Sequence, residues 1–237
     1  MSRIILIASG KGGTGKTTLA ARLACAMCDA GRRVAAVDLD AGMGNLDIAL
    51  GMHDAALFSI SEVLSGAVSY ENAAVPVHGR PNLCLLCAPP AGYVPPAEAL
   101  AAFIAARRAE DTDIILDCGA GLGDALGAAR AVADLGLVVT HAETACLRDA
   151  AATALFLSER GSLSLRLVCN RLPVRRPLQR RMAYHVDACM DEVGLPLGAI
   201  LFEDRRLVRT LLGGGTAASR IPEEIRALAE RIISRNF

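Results

Sequence analysis

Only two of the chain's twenty-five basic residues are lysines, Lys11 and Lys16. Both lie in Gly10-Lys11-Gly12-Gly13-Thr14-Gly15-Lys16-Thr17-Thr18. An ammonium is a compact point charge that fits among phosphate oxygens wrapped by backbone N–H groups, whereas a planar guanidinium fork is too wide for such a nest. The stretch also satisfies G-x-x-x-x-G-K-[ST]. It therefore predicts a phosphate cradle, with Gly10, Gly12, Gly13, Gly15 and the loop amides around a di- or triphosphate. Lys16 is expected on the β- and γ-phosphates and the Thr17 hydroxyl on Mg²⁺. The competing reading is a glycine-rich turn that matches by chance.

A cradle of this kind must join a strand to a helix, so that the helix N-terminus points its free N–H groups at the anion. Ile4-Ile5-Leu6-Ile7-Ala8 precedes the loop and a helical pattern begins near Lys16. Further short apolar runs at Val34–Val37, Leu83–Cys87, Ile114–Leu116, Leu135–Thr140, Leu163–Cys169 and Leu195–Leu201 read as strands. Helices are expected at about 16–30, 97–108, 123–133, 146–160, 178–192, 204–212 and 222–234. The alternation predicts one α/β domain over residues 1–237, a doubly wound, mostly parallel sheet with helices on both faces. Ligands of such sheets bind outside the carboxyl ends of the strands. Two strands there end in carboxylates, at Asp38-Leu39-Asp40 and at Asp117. An acid beside a triphosphate is what Mg²⁺ requires, and Asp117 is the expected metal-side acid. A turn or helix-cap aspartate is the alternative at both places.

With these residues in view, the chain resembles the MinD/ParA family of P-loop ATPases, the deviant Walker A group, and its MinD branch in particular. The resemblance spans nearly the whole chain. Its most specific mark is Lys11, which in that family reaches across a dimer interface to the partner's nucleotide. The resemblance implies an ATPase that dimerises on ATP, turns over slowly alone and is stimulated by a protein partner. It further implies that Asp40 positions the attacking water and joins Thr17 and Asp117 near Mg²⁺. Asn170 and Arg171 match the place where relatives recognise adenine, although a turn-forming asparagine remains an alternative there. Asn45-Leu46-Asp47 and Leu147-Arg148-Asp149 favour a role in placing the division septum. Departures are Gly44 for an arginine, Gly119 for a proline, Ala151 for an acidic residue and Phe202 for a proline. A ParA-like role, or service to a metalloenzyme or flagellar apparatus through the same switch, stays open.

Acidic and basic residues balance at twenty-five each, so net charge argues for no obligatory nucleic-acid or membrane partner. Arg171, Arg175, Arg176, Arg180 and Arg181, with Arg205, Arg206 and Arg209, could form a basic face, but a solvated charge run is the plainer reading and DNA the weaker one. No apolar run has the length of a membrane span. The protein is expected in the cytoplasm, with weak peripheral contact at the inner face of the cell membrane as an option. Ile221, Ile225, Leu228, Ile232 and Ile233 fit a helix packed on the sheet better than a membrane anchor, with Phe237 as the dissenting residue. The spacings Cys25/Cys28 and Cys84/Cys87 invite a metal reading, yet residues three apart on a strand face opposite ways, so buried thiols are expected.

Overall fold

The computed structural model describes residues 1–53, 57–159, 163–173, 179–204, 206–207 and 215–236, the side chains of 179–184 excepted. Ile4-Ile5-Leu6-Ile7-Ala8 has no polar side, so a strand made of it must be covered on both faces. It forms β1 (Ile4–Ala8), wholly buried. Parallel to it on either side run β5 (Thr112–Asp117) and β6 (Leu135–Thr140). Outward from β5 come β2 (Arg33–Asp38), β4 (Arg80–Leu86) and the edge strand β3 (Val75–Val77). Outward from β6 come β7 (Ser164–Leu172) and β8 (Leu197–Phe202). The order is β3-β4-β2-β5-β1-β6-β7-β8, with only β3 antiparallel to its neighbour.

Strand side chains alternate between faces, and the two cores divide accordingly. Ile5, Ile7, Val34, Ala36 and Ile115 face α1 (Lys16–Asp29) and α9 (Glu223–Ser234). Ile4, Leu6, Ala35, Val37, Ile114 and Leu116 face the opposite layer, which holds α5 (Ala97–Ala109), α6 (Asp124–Val132), α7 (Thr144–Ser158) and α8 (Gln179–Val193). The doubly wound expectation holds. Ile225, Leu228 and Ile232 of α9 are buried in the first core, so that helix spends its apolar stripe on the sheet and on α1.

The seven expected strands all form, with ends shifted by up to three residues. An eighth, β3, was not anticipated, and neither were three short helices, α2 (Leu46–Leu50), α3 (Ile60–Leu64) and α4 (Tyr70–Ala73). α3 carries a complete capping box, in which Ser59 and Glu62 exchange side-chain and backbone bonds. β3 carries the exposed Pro76 on the sheet's outer border. Of the helix expected over 204–212, only 204, 206 and 207 are described. Arg175, Arg176, Arg205, Arg209 and Phe237 lie outside the described residues, as do the side chains of Arg180 and Arg181.

Candidate functional site

The loop after β1 turns through two left-handed glycines, Gly13 at φ 78° and Gly15 at φ 95°. Side chains rarely adopt this region, and glycine enters it without a Cβ penalty. Gly15 caps α1 and no side chain satisfies the first N–H groups of the helix, so they remain open to an anion. Two close approaches fix the loop from outside. A Cβ on Gly10 would collide with the Asp149 carbonyl in α7, and one on Gly15 with the Asn170 amide. Gly12 and Gly13, by contrast, border open space. Lys16 is 7% exposed at the base of this turn, while Lys11 stands exposed on its outer side. The two lysines the sequence singles out thus have different surroundings, one held inside the loop and the other free to reach outward.

Sheet register brings the carboxylates together, because Asp38 and Asp117 are direct partners across the β2–β5 pair. Both are almost fully buried, and burial is the chief reason that Asp38 is pushed up to about 6 and Asp117 to about 7. Asp38 adds to the rise at Asp117; the Thr17 hydroxyl and the Lys16 ammonium oppose it. Asp38 is satisfied by the N–H groups of Asp40 at 2.9 Å and Leu46 at 3.1 Å, so it shapes the turn that carries Asp40. Asp117 is not: its Oδ1 is buried with no hydrogen-bond partner among the described residues. A buried carboxylate oxygen in that condition, next to a threonine hydroxyl and a second acid, fits a hard divalent cation. Asp40 lies half-buried against the next loop, where a Cβ on Gly119 would meet its Oδ1 at 2.9 Å. Gly44 is likewise crowded by Ala88 and by Asp38 Oδ2.

On the other flank, Asn170, two residues before the end of β7, has its Nδ2 donating to the Thr14 carbonyl at 2.7 Å, while its Oδ1 accepts the Arg171 N–H at 2.9 Å. The expected base-reading amide is thus a brace for the phosphate loop that keeps one N–H in hand. Arg171 is exposed, at φ 55°. Beside them open two adjoining clefts of about 190 and 310 Å³, both lined by Gly15, Thr18, Arg22, Asn170, Phe202, Glu203 and Asp204. Phe202 therefore forms one wall of the space next to the loop.

Sequence reasoning missed two residues here. Arg22, 4% exposed, donates to Asp204 at 2.9 Å and to the Ala217 carbonyl at 3.0 Å, tying α1 to the segment after β8. The available signal was a lone arginine among apolar helix positions. His141, immediately after β6, sits beside Thr14 with its Nε2 buried. Of the other expected features, Arg148 is exposed on α7, and Cys84 and Cys87 pack toward opposite sides of the sheet. Among the described residues no group of three His, Cys, Asp or Glu could hold a metal, and no helix is long and apolar enough to cross a membrane.

Residues 5–231 match the family described as the CobQ/CobB/MinD/ParA nucleotide binding domain. The septum site-determining protein MinD of Synechocystis sp. is 32% identical over 215 residues, covering 88% of this chain and 79% of that one. Among solved structures, the MinC:MinD cell division protein complex of Aquifex aeolicus superposes with a TM-score of 0.84 at 27% identity, over 98% of this chain and 96% of that one. MinD of Pyrococcus horikoshii complexed with Mg-ADP gives a TM-score of 0.81 at 29% identity, over 100% and 98%.

Proposed function

The chain belongs to the CobQ/CobB/MinD/ParA nucleotide-binding family, and on that footing we propose that it is an ATP-hydrolysing dimerisation switch of the MinD type that regulates placement of the division septum. The observation that carries the reading is the orphaned, buried Asp117 Oδ1 at the strand end beside Lys16 and Thr17. Such an arrangement costs the empty protein stability and is relieved by a cation and a phosphate chain. A relative solved with Mg-ADP and another solved as a complex with a division protein support it.

In this reading Gly10, Gly12, Gly13, Thr14, Gly15 and Thr18 present backbone N–H groups to the phosphates, and Lys16 neutralises them from below. Thr17, Asp117 and Asp40 hold Mg²⁺, which supplies charge neutralisation at the phosphoryl oxygens when bound. Asp40 also orients the attacking water. Lys11, exposed and pointing its charge outward, completes the site of a second copy, so that hydrolysis waits for the homodimer. Asn170 and Arg171 border the base. Turnover is slow until a protein regulator engages the dimer, and the protein works in the cytoplasm with only peripheral contact at the membrane.

Calorimetry with ADP tests the site: affinity that depends on magnesium is expected, and well-folded protein without it would sink the proposal. Depletion in the host tests the role, with misplaced septa expected and unaltered septum positions counting against it.

A further inference from the structure

We propose that a groove between α2, α3 and the end of β4 is a docking site for a protein segment that presents large apolar side chains beside an arginine or lysine. The groove measures about 440 Å³, and its walls include Asp47 from α2, Leu57, Phe58 and Glu62 from the entry and first turn of α3, and Cys87 and Pro90 after β4. None of its lining residues belongs to the phosphate loop, to the strand-end acids or to the clefts beside Asn170. Leu57 is 90% exposed and Phe58 37%. Half of the large apolar side chains left exposed among the described residues, Met43, Ile48, Leu57 and Phe58, come from this one stretch of chain. Single exposed apolar residues are ordinary on a protein surface, whereas a cluster around a concave site marks a place of contact.

The walls are held before anything binds. The Ile60 N–H donates to the Cys87 carbonyl at 3.0 Å and Ser59 bridges to Cys87, which ties the start of α3 to the strand end. Glu62 Oε2 accepts the Ser59 N–H at 3.0 Å and the Ser61 hydroxyl at 3.1 Å, and Asp47 Oδ1 accepts the Ile48 N–H at 2.7 Å. Both carboxylates are therefore oriented in advance, and an occupant is spared the cost of ordering them. Charge selects that occupant. Asp47 and Glu62 are the only charged residues lining the groove. No lysine or arginine occurs between Arg33 and Arg80, although the whole sequence carries as many bases as acids. Arg80 itself is paired with Asp29 at 2.8 Å. An acidic rim around apolar walls repels nucleic acid and anionic lipid and attracts a cation flanked by apolar side chains.

The test selects short random peptides displayed on phage against the full chain, then titrates the recovered peptides, made synthetically, by fluorescence anisotropy at near-physiological salt. Expected are peptides that share apolar residues next to arginine or lysine and that shift the amide resonances of Leu57, Phe58 and Glu62. Leu57→Ser, at a position exposed enough to leave the fold intact, should weaken them about tenfold, and Asp47→Asn, which removes one charge, severalfold. Recovery of no peptide, of acidic peptides or of peptides without apolar residues would overturn the proposal, and so would equal binding to wild type and both variants. A dimer of the nucleotide-free wild type that Leu57→Ser dissociates in light scattering would overturn it in favour of a second copy of the chain. Co-sedimentation with phosphatidylglycerol vesicles that Leu57→Ser abolishes would overturn it in favour of a lipid surface.

Discussion

Replacing Asp117 by asparagine keeps the side chain's shape and removes the charge that burial penalises. In the folded chain the carboxyl is held at about 7, from 3.8, by burial first and by Asp38 second. A raised carboxyl contributes stability that is fully present below the unfolded value near 3.8 and is lost as pH rises through about 7. Between pH 5 and pH 8 the wild type should lose about 2 to 3 kcal/mol from this group, at about 1.36 kcal/mol per pH unit. Asp117→Asn has no such loss. Urea unfolding without magnesium at the two pH values measures the difference: the variant should gain on the wild type by that amount at pH 8. Magnesium and ADP should then stabilise the wild type and leave the variant little changed. Parallel pH profiles, or a variant that falls behind at pH 8, would refute the argument that this carboxylate is buried in wait for a cation.

Gly15→Ala must place a side chain at φ 95° and displace the Asn170 amide, costing about 1–2 kcal/mol for the backbone and about 1 kcal/mol for the bond to Thr14. Thermal unfolding should fall by about 5–10 °C, whereas Gly12→Ala, facing open space, should unfold within about 2 °C of wild type. Arg22→Met leaves Asp204 and the Ala217 carbonyl short of a donor and should cost about 3 kcal/mol in urea unfolding; a neutral result would mean the buried pair does not hold α1 to the end of β8. Lys11→Ala should still bind ATP but lose the nucleotide-dependent dimer and stimulated turnover, and light scattering that finds the same dimer with a non-hydrolysable analogue would contradict a role in trans.

The phosphate loop and the strand-end acids could be located because each belongs to a short contiguous string beside a strand, whereas the part expected of Asp40 came only with the family resemblance. Periodicity likewise disclosed the seven longer strands and both helical layers. What escaped was either too short or too distant. α2 and α4 hold five and four residues, too few for a helical period to register. α3 is as brief, and its capping pair, Ser59 and Glu62, is a local signal that a reading by periodicity passes over. The brace between Asn170 and Thr14 joins positions 156 apart, and the Arg22–Asp204 pair positions 182 apart. Only the order of strands in the sheet brings such residues together, and no window along the chain can contain them. Asn170 illustrates the difficulty: its place at a strand end could be read, but its grip on the loop's backbone could not.

An outermost strand offers a row of free amide donors to any chain that comes alongside. β3 is three residues long and its middle residue, Pro76, brings no donor at all. A foreign sheet finds too short a ladder there to zip onto, and this border is thereby protected against growth into fibrils when many copies crowd together.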